Sequence, residues 1–283
     1  MTWELYTLIS VLCLSLSVIL QRILIHKDKT DPFAYTVIFQ GTVGVLLMIF
    51  AIFNGFQLPN IETVLLPAAI SIVCFGVGHI FYAKTLQKVE ASVFSILFAT
   101  QAIWTMLLGI VLLNETMTIL QIAGTGLLFA SVVILAKNLR TIFTENGTLL
   151  GLLTGLLFGV AIYAWSYVGR FTDAPSWAAI SFVGTALLVL AIRPSSVRKM
   201  KPLLRPTVLW KLIALGVFYG IGSLTMLFAY KTGTFAIVSP LRQTSIIVTV
   251  LLALSFLPKE RNRIRRKLLA ALICTVGVIL IVI

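Results

Sequence analysis

Two ionisable side chains of this 283-residue chain lie inside long apolar runs, and chemistry is to be sought there first. Arg242 falls about seven residues into the run Phe235 to Leu257, roughly 10 Å of helix, and Gln243, Thr244 and Ser245 follow it. A guanidinium at that depth in a bilayer is costly and needs a role. Either it anchors a carboxylate, phosphate or zwitterion, or it snorkels and satisfies helix-end carbonyls. Pro240, two residues earlier, lacks a backbone donor and is expected to free carbonyls beside it. His79 stands near the end of another run, where it can exchange a proton near neutral pH or hydrogen-bond a neighbouring helix.

Uncharged groups extend the candidate site. Gln101, near the middle of an apolar run, must find a partner for its amide. Tyr82, Trp104, Tyr163, Trp165 and Tyr219 offer rings for stacking on an organic substrate, with membrane-interface positions as the competing reading. The carboxylates are informative by position: all nine Asp and Glu fall in loops or at run ends, Glu115 and Glu260 included. A carrier that trades protons for hydrophobic cations needs a carboxylate at depth, and none is found. A fixed cation without one favours an acidic or zwitterionic substrate, such as an amino acid or related compound. Cys13, Cys74 and Cys274 have no second ligand at metal spacing, and no phosphate-binding GxxxxGK[ST] loop occurs. No metal or cofactor is expected.

The elements that must position these residues follow from composition. The chain is 59% hydrophobic and 11% charged, with a mean hydropathy of +1.07, against about 45–50% and roughly 25% in soluble chains. That excludes a cytosolic enzyme and a secreted disulfide domain. Ten apolar runs are read as transmembrane helices: Trp3 to Gln21, Phe33 to Phe53, Thr63 to Ala83, Ala91 to Leu113, Thr118 to Ala136, Leu149 to Val168, Ser176 to Ile192, Val208 to Tyr230, Phe235 to Leu257 and Leu268 to Ile283. With ten spans, 19 of the 22 Lys and Arg fall in connections or helix ends on one side. Arg170 and Lys231 lie on the other, and Arg242 lies within a span. The positive-inside rule then places both termini outside the cytoplasm, and it reads the net charge of +13 as juxtamembrane anchoring, not nucleic-acid contact. Gly151, Gly155 and Gly159, and likewise Gly216 and Gly220, are spaced for close helix approach.

Five spans in residues 1–137, a polar joint at 138–147 and five more in 148–283 suggest an internal repeat. Aligning Ala91 with Ala236 brings Glu115 onto Glu260 without a gap. An odd number of spans per half inverts the second half relative to the first. The stretches Phe81-Tyr82-Ala83-Lys84-Thr85, Glu90-Ala91-Ser92, Leu112-Leu113-Asn114-Glu115 and Gln121-Ile122-Ala123-Gly124 resemble the EamA-type drug/metabolite transporter superfamily. Ala229-Tyr230-Lys231-Thr232, Ser239 to Ser245 and Pro258-Lys259-Glu260 repeat the pattern. The resemblance implies an all-α membrane protein, two inverted five-helix repeats around a central cavity lined by the first, third, fourth, sixth, eighth and ninth helices. It also implies cytoplasmic termini, against the charge count. The first run lacks the family's Trp-Gly, and Ala102 stands where Pro is common.

The expectation is a plasma-membrane secondary transporter that moves a small polar or amphipathic metabolite by alternating access. Proton coupling or exchange would drive it, as a monomer or homodimer. A lipid flippase or an enzyme acting on lipid-linked substrates is the alternative. The candidate binding set is Arg242, Gln243, Gln101, Trp104, Tyr82, His79, Tyr163, Trp165 and Tyr219.

Overall fold

A computed structural model describes residues 2–25, 30–104, 107–108, 118–135, 146–232, 238, 242, 244–257 and 263–283. Within them run ten α-helices: α1 Trp3–Leu24, α2 Pro32–Phe53, α3 Ile61–Lys88, α4 Ala91–Phe98, α5 Ile119–Leu135, α6 Asn146–Phe171, α7 Ala174–Ile192, α8 Pro206–Thr232, α9 Ser245–Phe256 and α10 Ile264–Val282. A short 3-10 helix, Pro194–Lys199, joins α7 to α8. The described residues contain no strand. α1, α2, α3, α6, α7 and α8 are long and apolar enough to cross a membrane; the others are shorter or carry charge at one end. Pro240, Gln243, Glu115, Glu260 and Ala236 lie outside the described residues.

Local signals start the helices where the chain breaks. Asp31 caps α2 by accepting from the Phe33 and Ala34 N–H groups, with Pro32 in the first turn. Asp173 does the same for α7, accepting from the Ser176 N–H and hydroxyl ahead of a Pro in the first turn. The fourth apolar run does not continue as one α-helix. After Phe98 it passes through a turn at Ala99 and Thr100 before helical backbone resumes at Gln101 to Trp104. Thr100, Ala102 and Ile103 donate three residues back instead of four, the 3-10 pattern.

Helices of the two halves pack on each other. The most extensive pairings are α1 with α8, α2 with α7, α3 with α6 and α5 with α10, and α4 packs chiefly on α9. Small residues allow the approach: a Cβ on Gly155 would stand 2.4 Å from Thr100 Oγ1, one on Gly151 2.8 Å from Leu97 Cδ1, and one on Gly216 2.9 Å from Thr42 Cγ2. The glycine spacing read from the sequence therefore marks real helix crossings.

The polar connections sort to two ends. At one, Asp31 pairs with Lys199 at 2.8 Å and Arg193 at 3.5 Å. There Arg22 also donates to the Leu86 carbonyl, Gln87 to the Thr30 carbonyl, Lys267 to Glu90 and Arg266 to the Ile134 carbonyl. The basic connections that the sequence assigns to one side thus meet in space. At the far end of α7, Lys231 donates to the Thr172 carbonyl and the Gln57 N–H to Ser176 Oγ.

Candidate functional site

Between the two ends lies a cavity walled by α1, α2, α3, α4, α6, α7, α8, α9 and Arg242. At its centre is a pile of rings built on α3. His79 lies 4.7 Å from Phe158, 5.7 Å from Phe39, 6.0 Å from Phe75 and 6.1 Å from Tyr82, centroid to centroid. Tyr219 of α8 meets Phe39 edge-on at 5.0 Å and Phe182 at 5.7 Å. Edge-to-face contacts of this kind hold rings in fixed orientations, so the apolar wall is pre-formed. Trp165 of α6 is anchored by donating from Nε1 to Ser181 Oγ at 3.0 Å, while its carbonyl accepts from Trp177 Nε1 at 3.0 Å.

Towards the basic end, three helices are tied by buried hydrogen bonds. Gln21, fully buried on α1, donates to the Tyr82 hydroxyl at 3.4 Å and accepts from the Tyr35 hydroxyl at 3.3 Å. That bond chain ties α1, α2 and α3 together one turn beyond Val18, which still lines the cavity. Outside the spans, Asp31 makes the electrostatic counterpart. Burial pushes its carboxyl up, but the hydrogen bond from Lys199, the Ala34 N–H and the charges of Lys199 and Arg193 together hold it below the usual carboxylate value.

Arg242 lines the cavity, half-buried, within electrostatic reach of the Tyr219 hydroxyl. It makes no ion pair with any described residue, and no described carboxylate lines the cavity.

Six of the nine residues picked out from the sequence therefore line one space: His79, Tyr82, Gln101, Trp165, Tyr219 and Arg242. Trp104 and Tyr163, both half-buried, are not among the lining residues. Gln243 lies outside the described residues. The structure adds groups that sequence reasoning passed over, from two helices not expected in the wall: Gln40 of α2, and Ser181 and Thr185 of α7. Ser15 of α1 and Thr249 of α9 join them. An amide inside an apolar run, the signal that marked Gln101, was equally present at Gln40. No cluster of three His, Cys, Asp or Glu suited to a metal ion occurs among the described residues.

No curated protein matches this chain. Twenty solved chains do. One, described only as a crystal structure of a protein, aligns over 99% of this chain and 96% of its own with a TM-score of 0.67. At 18% identity that likeness is one of fold. The model of the EamA-like transporter family matches residues 1–137 and again residues 145–283. With nearly every residue so covered, and a cavity held among helices made for lipid, this multi-pass membrane protein belongs to the EamA-like transporter family.

Proposed function

We propose that the chain is a plasma-membrane secondary transporter that carries a small organic acid or zwitterion through this cavity by alternating access of two inverted five-helix repeats. The observation that carries the substrate class is Arg242: a cation on the cavity wall with no described carboxylate to neutralise it. In a low-dielectric space it repels organic cations and attracts carboxylates.

The packing supports the repeat, with residues 1–137 and 148–283 as its halves and 138–147 as the joint. Adding five to each helix number turns the α1–α8 pairing into α3–α6, and α1–α9 into α4–α6. It leaves α2–α7, α4–α9 and α5–α10 unchanged, as a two-fold relation requires. The Asp caps with Pro behind them start corresponding helices, α2 and α7, at opposite ends of the bundle. The turn at Ala99 also maps onto the turn residue Thr244 in the ungapped alignment of Ala91 with Ala236. Interrupted helices at corresponding places are what such carriers place around a substrate. The charge asymmetry supports termini outside the cytoplasm.

Thermal unfolding of the purified protein tests the substrate class, because a ligand that binds only the folded state raises the melting temperature. Phenylpropionate is expected to stabilise and phenylpropylamine not. Arg242→Gln should abolish the response and Arg242→Lys keep part of it. Equal stabilisation by the amine, or a normal response in Arg242→Gln, would overturn the reading.

A further inference from the structure

His79 Nδ1 lies 2.9 Å from the Phe75 carbonyl oxygen, one turn back along α3. A carbonyl oxygen only accepts, so the proton of that bond sits on Nδ1. Nε2 is then left as a lone pair on the opposite edge of the ring. It has no hydrogen-bond partner among the described residues, in a side chain that lines the cavity and is 4% exposed.

Four hydroxyls of the cavity wall add further acceptors. Ser15 donates to the Ser245 carbonyl, Ser95 to Ala91, Ser166 to Tyr163 and Thr185 to Ser181. A hydroxyl whose proton is committed to a helix carbonyl offers only lone pairs to a guest. Against these acceptors stand the donors Arg242, the Tyr82 and Tyr219 hydroxyls and Gln40 Nε2, the last buried with no partner among the described residues. A substrate with only acceptors, such as a dicarboxylate or a phosphate, would leave the His79 side of the wall unsatisfied.

Resting on the anion reading above, we infer that His79 is a specificity residue: its Nε2 accepts a hydrogen bond from an N–H or O–H group of the substrate. The cargo is thereby an amino- or hydroxy-bearing organic acid in preference to a simple carboxylate. The ring pile around His79 takes the apolar body that joins the donor to the acid group.

Four matched probes test this by melting-temperature titration of the purified full chain: para-aminophenylpropionate, para-methylphenylpropionate and the two corresponding propanols. The amino and methyl members share a shape and differ in the donor. Wild type is expected to bind the amino acid probe about tenfold more tightly than its methyl partner, the scale of one buried hydrogen bond. His79→Phe, which keeps a ring, should bring that ratio to one or below, and His79→Gln, which keeps an acceptor, should retain most of it. No discrimination by wild type, a ratio unmoved in His79→Phe, or no stabilisation by any probe overturns the assignment. The propanols separate the two readings. If amino is preferred in both pairs while carboxylates bind no better than alcohols, His79 stands and the Arg242 reading falls.

Discussion

Gly124 on α5 and Gly277 on α10 meet backbone to backbone. A Cβ added to Gly124 would stand 2.5 Å from the Gly277 carbonyl oxygen, and one added to Gly277 would stand 2.8 Å from that of Gly124. The obstruction is main chain on both sides, which cannot swing aside as a side chain can. Gly124→Ala is expected to push the helices apart and to cost about 1–3 kcal/mol, read as a lower melting temperature in detergent. Gly126→Ala, with nothing within 4 Å of its added Cβ, is the control and should be neutral or slightly stabilising. Equal melting of the two variants would remove the crossing as a determinant of stability.

Asp31 gives a pH dependence with a definite sign. Its carboxyl is held below the usual value in the folded protein, so the folded state prefers it ionised. The stabilisation is complete above the unfolded carboxylate value, about 3.9, and is lost as pH falls through the lower folded one. Asp31→Asn, which keeps the helix cap, is therefore expected to melt lower than wild type at about pH 7, with the gap closing as the pH is taken down below the usual carboxylate value of about 3.9. The gap should stay within about 1 kcal/mol, because the Lys199 and Arg193 side chains are 52% and 38% exposed. A gap that persists in acid would assign the effect to the cap geometry instead.

Glu90 and Lys267 tie the start of α4 to the start of α10, with the Lys267 side chain only 6% exposed and that of Glu90 32%. Glu90→Gln is expected to cost about 1–2 kcal/mol, less than a fully buried pair because Glu90 still reaches water. Adding Lys267→Met should recover part of the loss, since the pair is then replaced and not merely broken. A double variant as unstable as the sum of the singles would show that the two residues act separately.

Sidedness is open to direct measurement. With the three native cysteines replaced, a cysteine at Asn54 is expected to react with an impermeant thiol reagent on intact cells, and one at Lys201 only after permeabilisation. Both positions are exposed, in connections at opposite ends of the bundle. The reverse pattern would place the basic connections outside.

Helices were legible in the sequence because lipid leaves an apolar run few alternatives. Their ends were less so: the third run, read as Thr63 to Ala83, belongs to a helix spanning Ile61–Lys88. Helical hydrogen bonding does not stop at the lipid boundary. The turn at Ala99 and Thr100 carried no Pro or Gly to announce it. Arg242, His79 and Gln101, picked out by charge and polarity at depth, line the cavity. Of the five rings picked out, Tyr82, Trp165 and Tyr219 line it, and Trp104 and Tyr163 do not. In a helix apolar all round, periodicity does not say which face turns inward. Ser181 and Thr185 were hidden for the same reason.

The cross-half pairing bears on how the protein is made. Every helix of the first half finds its most extensive described partner in the second, α1 on α8, α2 on α7, α3 on α6, α4 on α9 and α5 on α10. A ribosome that has released only the first five helices into the bilayer has therefore delivered a set without its partners. Gln40, buried in the finished protein, and the side of His79 that meets Phe158 and Tyr219 lack that cover until α6 to α8 emerge. The polar groups of the first half thus reach their final surroundings only when the second half is in place.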